Sequence, residues 1–171
     1  MRCKKILLCL FLFIIPLRLI NSQEIENNYV KLEKSIQENK WYWGKQRQTW
    51  LINLIKENNN KTDEEKLEII NNFYNEQVRY GTDMQIWGEV DYWATPFESL
   101  NQAGGDCEDY AIGKYFSLKK MGIKSSKLKL VYVRYQDGID ILPHMVLTYT
   151  KDNGIVLVLE DRKSTRLNSS H

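Results

Sequence analysis

The chain has 171 residues, 43% of them hydrophobic and 27% charged, with 24 Lys and Arg against 22 Asp and Glu for a formal charge of +2. That length suits one domain with a real core and is too short for two ordinary ones. Residues 23–160 carry 17 basic and 21 acidic side chains, so the body is about −4 and offers no basic patch; nucleic acid is excluded as a partner.

The chain opens on Arg2, Lys4 and Lys5, followed by an apolar run from Ile6 to Ile15, Pro16 and a polar exit at Asn21 and Ser22. This is the pattern of a secretory signal peptide over 1–22, and the run is shorter than the ~20 apolar residues of a spanning helix. Cys9 follows Leu8, where a lipoprotein signal wants a small residue, so lipidation is discounted. Cys3 and Cys9 leave with the signal, and an exported domain keeps the single thiol Cys107. An odd cysteine in an oxidising compartment points to a reactive thiol or an intermolecular bridge, with an inert buried cysteine as the other reading.

Residues 24–39 predict a weakly amphipathic helix with Val30, Leu32 and Ile36 on one side. After Trp41-Tyr42-Trp43-Gly44 a second helical pattern carries Trp50, Leu51, Leu54 and Ile55. Thr62-Asp63-Glu64-Glu65 is a capping box that predicts a third helix from Asp63 to about Gln77, with Leu67, Ile70, Phe73 and Tyr74 inward. Residues 78–105 have no clean period; their aromatics Trp87, Tyr92 and Trp93 are expected to pack in the core. From Cys107 to Met121 apolar residues recur at helical spacing, and Gly122 supplies the stop. Short runs at 128–135, 145–149 and 155–159, separated by Asp137-Gly138 and Asn153-Gly154, read as antiparallel strands.

The last eleven residues, DRKSTRLNSSH, back-translate codon for codon to a common short-read sequencing adapter. Residues 161–171 are therefore expected to be an artefact and the native domain to be truncated there. The adapter normally begins one base earlier, inside codon 160, leaving only GA as genuine sequence. The native residue at Glu160 is thus predicted to be Asp.

Chemistry concentrates at Gly104-Gly105-Asp106-Cys107, which opens the most secure helix. Free amides and the helix dipole there favour a thiolate, and the glycines admit a substrate backbone. His144 is the one histidine outside the tail. A lone histidine is ordinarily structural, but paired with a lone cysteine at a helix start it reads as a base. Such a pair needs a third group to fix the imidazole, and Glu160 follows the next strand in the right chain order. Asp106, Glu108 and Asp109 crowd the thiol and, unrelieved, would raise its pKa. Either they hold a cation, for which hard carboxylate oxygens favour Ca²⁺ over Zn²⁺, or they are solvated acids complementing the helix dipole.

The segment QVRYGTDMQIWGEVDYWATPFESLNQAGGDCEDYAIGKY (77–115), with the later LVYV, HMVLTY and LVL runs, resembles the bacterial transglutaminase-like cysteine proteases, and most closely their periplasmic adhesin-releasing members. The resemblance covers most of 62–160 and rests on WGxxDYWATPxE followed by GDCEDYA. It implies an α+β papain-like fold with a transglutaminase core: helices first, Cys107 on a central helix, and a small antiparallel sheet carrying His144 and Glu160. It also implies a calcium-dependent periplasmic endopeptidase that cuts a large repeat adhesin near its N-terminus, at a pair of small residues. Family members are held inactive by the periplasmic domain of an inner-membrane cyclic di-GMP receptor. By position Cys107 matches the nucleophile, His144 the base, Glu160 the orienting Asp, and Asp106, Glu108 and Asp109 the calcium ligands. Acyl transfer to an amine and a non-catalytic, calcium-stabilised binding module remain as alternatives.

Overall fold

The computed structural model describes residues 22–137, 139–160 and 168–169. The leader expected over 1–22 thus falls almost wholly outside the described residues, as does most of the tail. The chain divides into two compact units, 1–36 and 37–171, and the site lies in the second. No helix among the described residues is long and apolar enough to cross a membrane.

Helix α1 runs from Ser22 to Glu57 without interruption. The expected break at Gly44 does not occur, because that glycine serves a close approach: a Cβ there would lie 2.1 Å from Asn101 Oδ1. One turn on, Arg47 donates from Nε to the Leu100 carbonyl (2.6 Å) and from Nη2 to that of Asn101 (3.3 Å). A mid-helix glycine costs about 1 kcal/mol relative to alanine, and tertiary contacts of this kind override it.

Helix α2 spans Asp63–Gln77, as its capping box predicts. The Thr62 hydroxyl accepts from the Glu65 amide at 3.3 Å, and Glu65 Oε2 accepts from the Thr62 amide at 3.0 Å. Its inward residues Leu67, Ile70 and Tyr74 are fully buried.

The aperiodic stretch is more ordered than its sequence suggests. Strand β1 (Arg79–Tyr80) pairs in parallel with β2 (Gly104–Gly105), and between them lie α3 (Asp83–Ile86) and α4 (Pro96–Gln102). Helix α4 also starts on a capping box, Thr95-Pro96-Phe97-Glu98, with proline at its first turn. The aromatics here are not core residues: Trp93 is exposed, and Trp87 and Tyr92 are half-buried with ring centroids 4.7 Å apart. Their work is local, since the Tyr92 hydroxyl donates to Glu98 Oε1 at 3.0 Å.

Helix α5 covers Cys107–Lys120 and stops at Gly122, whose φ of +89° favours glycine. It packs on α2, α4 and one face of a four-stranded antiparallel sheet ordered β3-β4-β5-β6, comprising Leu128–Asp137, Asp140–Thr150, Val156–Leu159 and Asn168–Ser169. The tail set aside in the sequence reading thus supplies a short strand, paired with β5. Tyr110, Ala111 and Leu118 of α5 meet Met145, Leu147, Tyr149, Leu157 and Leu159 in one core.

At Gly113 the α2–α5 contact leaves no room for a side chain, because a Cβ would sit 2.3 Å from Tyr74 Cε1. Gly113→Ala is therefore expected to destabilise the chain by about 2 kcal/mol through overpacking, beyond any gain in helix propensity. Urea unfolding of G113A checks it, and a neutral or stabilising result would show that Tyr74 moves aside freely.

Strand β4 begins well before the expected 145, so His144 lies inside it, in register with Val133, rather than at its head. Leu147 to Thr150 pair with β5, whereas the earlier part of β4 is paired with β3 alone among the described strands. That open flank tolerates Pro143 and frees main chain for contacts other than the ladder.

Candidate active site

The thiol is the first side chain of α5, half-buried against the core. It donates to Glu108 Oε2 at 3.0 Å and receives a hydrogen bond from the main chain of Met145, the residue after His144. The open flank of β4 makes this second bond possible, and it ties the cysteine helix to the histidine strand. Burial, followed by the Glu108 carboxylate, pushes the thiol up to about 12 against that bond. The amides of the helix start do not offset this. Burial and the carboxylates together thus disfavour the thiolate, and positive charge among the acids would relieve part of this.

Two more acids stand with the three expected ones. Ligand atoms of Asp83, Asp106 and Asp109 lie within 4.8 Å of one another, and so do those of Asp83, Asp91 and Glu108. Asp83 comes from the start of α3 and Asp91 from the loop after it, so the cluster forms only when the aperiodic segment folds back on α5. That segment aims the carboxylates: the Tyr92 amide donates to Asp83 Oδ2 and the Ala94 amide to Asp109 Oδ1, each at 2.8 Å. Gly105 leaves room for Asp109, whose Oδ2 would lie 2.8 Å from a Cβ at that position.

The other oxygens of these groups, Asp83 Oδ1 and Asp109 Oδ2, are buried without a hydrogen-bond partner, as is Asp106 Oδ1. Burial raises the pKa of all three acids: Asp109 to about 6, with Asp83 and Glu108 adding repulsion, and Asp106 further, through its bond with Glu108. Three orphaned carboxylate oxygens converging in a buried place fit a hard divalent cation. The reading of Asp106, Glu108 and Asp109 as merely solvated helix-start acids does not fit, because Glu108 and Asp109 are buried.

His144 is half-buried, adjacent in the chain to the residue that bonds the thiol. Glu160 is half-buried just past β5, the strand beside His144's, and the contacts described for it run through its carbonyl, which accepts from Lys114 Nζ (2.5 Å) and Asn75 Nδ2 (3.2 Å). Asp83 and Asp91 were missed in the sequence because no period or spacing ties them to Cys107. The aspartate in DYWA was within reach, as that motif sits beside the GDCED segment in the family resemblance.

A thiol at a helix start, a histidine on the adjoining strand and an acid nest beside the thiol fit a papain-like protease of the transglutaminase type. The chain belongs to the bacterial transglutaminase-like cysteine proteinases, whose family profile spans residues 46–169, and it is a cysteine protease. Its fold is similar to that of LapG from Legionella pneumophila, at 32% identity over 80% of this chain and 75% of LapG, with a TM-score of 0.63. The calcium-bound form of the same protein gives 32% identity over 82% and 76% with a TM-score of 0.65, and the EGTA-treated form 32% over 80% and 74% with 0.64. No curated protein matches the chain significantly.

Proposed function

We propose that this protease is a calcium-dependent periplasmic endopeptidase. Its substrate is a large repeat adhesin cut near the N-terminus, which frees the adhesin from the cell surface and promotes biofilm dispersal. In this reading the periplasmic domain of an inner-membrane cyclic di-GMP receptor sequesters the enzyme. The observation that carries the calcium dependence is the set of orphaned oxygens on Asp83, Asp106 and Asp109, and the likeness to calcium-bound LapG supports it. Asp83, Asp106, Asp109 and Glu108 would hold the ion, which supplies the positive charge that the thiol's surroundings lack.

In the reaction His144 takes the proton of Cys107, and the sulfur attacks the scissile carbonyl. Main-chain amides at the start of α5 face the oxygen of the tetrahedral intermediate. Glu160, or an aspartate in its place, orients the imidazole, which then protonates the leaving amine. Water, deprotonated by the same imidazole, hydrolyses the thioester and restores the thiol.

Acyl transfer to an amine would use the same residues, and the binding-module alternative gives way to membership of a proteinase family. Incubation with a purified N-terminal adhesin fragment, calcium and a labelled amine separates the two enzymatic outcomes. Hydrolysis predicts two unlabelled fragments at one cut, suppressed by EGTA, whereas an uncut fragment bearing the amine would sink the endopeptidase reading.

A further inference from the structure

Besides its apolar packing, α5 makes a polar contact with β4 and another with the residue after β5. Cys107 and Lys114 are seven residues apart, two turns or roughly 10 Å along the axis. The first meets the main chain of Met145 in β4, and the second meets the carbonyl of Glu160 just beyond β5.

Lys114 is fully buried. Its ammonium donates to Asn71 Oδ1 at 2.7 Å, to Asn75 Oδ1 at 2.9 Å and to Glu160 O at 2.5 Å, and it stands 5.4 Å from the Tyr110 ring centroid. Asn75 turns its amide nitrogen onto the same carbonyl, so that oxygen accepts two bonds and its orientation is fixed from α5 and α2 together. A buried ammonium is poor value as a source of stability, since an apolar side chain of similar volume does as well or better. What it provides that an apolar residue cannot is a directional, charge-assisted hold on a particular carbonyl.

We propose that Lys114, seconded by Asn75, is a positioning residue for proteolysis: by clamping the carbonyl of Glu160 it sets the segment leaving β5 in register with the helix that carries Cys107, and so aims the group that orients His144. The proposal rests on the reading that this segment supplies the orienting group. Because thiol and clamp share one rigid helix, any displacement at position 160 is measured against the sulfur itself. The bonds described for the clamp go to Asn71, Asn75 and Glu160 and to no acid of the cation cluster.

The test needs no substrate. The full chain is treated with iodoacetamide in calcium-containing buffer, and alkylation of Cys107 is followed by peptide mass spectrometry, which separates it from Cys3 and Cys9. Lys114→Met and Asn75→Ala are expected to slow alkylation by about tenfold or more, as loss of an outer positioning group does elsewhere. Ser117→Ala serves as the structural comparison: it removes the buried bond to the Tyr74 hydroxyl at the same α2–α5 contact and is expected to keep the rate within about twofold. If K114M does not fold, N75A decides. Wild-type labelling in the folded variants, or slowing no greater than in S117A, overturns the positioning role. His144→Ala in the same assay keeps the two failures apart. A slow H144A beside a fast K114M removes only Lys114's role, whereas a fast H144A removes the Cys–His pair and the proposal with it.

Discussion

Cys107→Ala is expected to abolish cleavage, by about 10⁴-fold or more, in a chain that folds as well as the wild type. The fold should survive because the thiol is only half-buried at the edge of the core and alanine is the best helix former. His144→Ala should be nearly as severe, and the double variant no worse than either single one, since the two act as a unit. Fragment release from the adhesin, followed on gels beside circular dichroism of each variant, checks this. Cleavage by C107A at more than a trace would place the chemistry elsewhere.

Removing calcium is expected to reverse how stability depends on pH. In the metal-free chain the folded-state pKa of Asp109 rises from the ordinary 3.8 to about 6, and those of Asp83 and Asp106 rise too. An acid whose folded pKa is raised keeps its proton in the folded chain after the unfolded chain has lost it. Its favourable contribution is therefore full below the unfolded pKa and is lost as the pH rises toward the folded one. For Asp109 alone the change between pH 4 and 7 amounts to roughly 2 kcal/mol. Thermal unfolding in EGTA should consequently show the Tm falling from pH 5 to 8. Calcium binds the deprotonated carboxylates, so its stabilising increment should grow over the same window. Asp83→Asn should cut that increment sharply while raising the Tm in EGTA at pH 8. A Tm in EGTA that rose with pH, or a D83N chain as responsive to calcium as wild type, would contradict the assignment of the cluster.

The parts of this molecule that were legible in its sequence are those whose cause is local. Thr62 and Glu65 satisfy each other's amides within one turn, so α2 could be read to the residue. Gly104 to Cys107 could be read as the opening of a helix, and the thiol is found there, although the short strand at Gly104–Gly105 was not legible. Thr95-Pro96-Phe97-Glu98 was equally readable as a cap, but it lies in a stretch whose aromatics suggested irregular core packing.

Other features depend on residues far apart in the chain. Gly44 reads as a break until Asn101 is brought against it, and Asp83 reads as an ordinary helix-start acid until α3 folds over Asp106 and Asp109. On α5 the recurring apolar residues are Ala111, Ile112, Tyr115, Phe116 and Leu118; Phe116 is exposed, whereas Ala111, Ile112 and Leu118 are buried together with Tyr110, Lys114 and Ser117. Polar residues that bond each other inside a core leave no mark in a hydrophobic pattern, and Lys114 escaped notice for that reason. The early start of β4 depends on distant residues too, since among the described strands that flank carries no pair beside Pro143.

The most direct test of the central claim is to stop the reaction with acid during the first turnover and weigh the active-site peptide. With the N-terminal adhesin fragment and calcium present, the account predicts a thioester joining the new C-terminus of the substrate to Cys107, transient in the wild type and absent from C107A. Brisk cleavage with no acyl adduct at Cys107 at any quench time would contradict it.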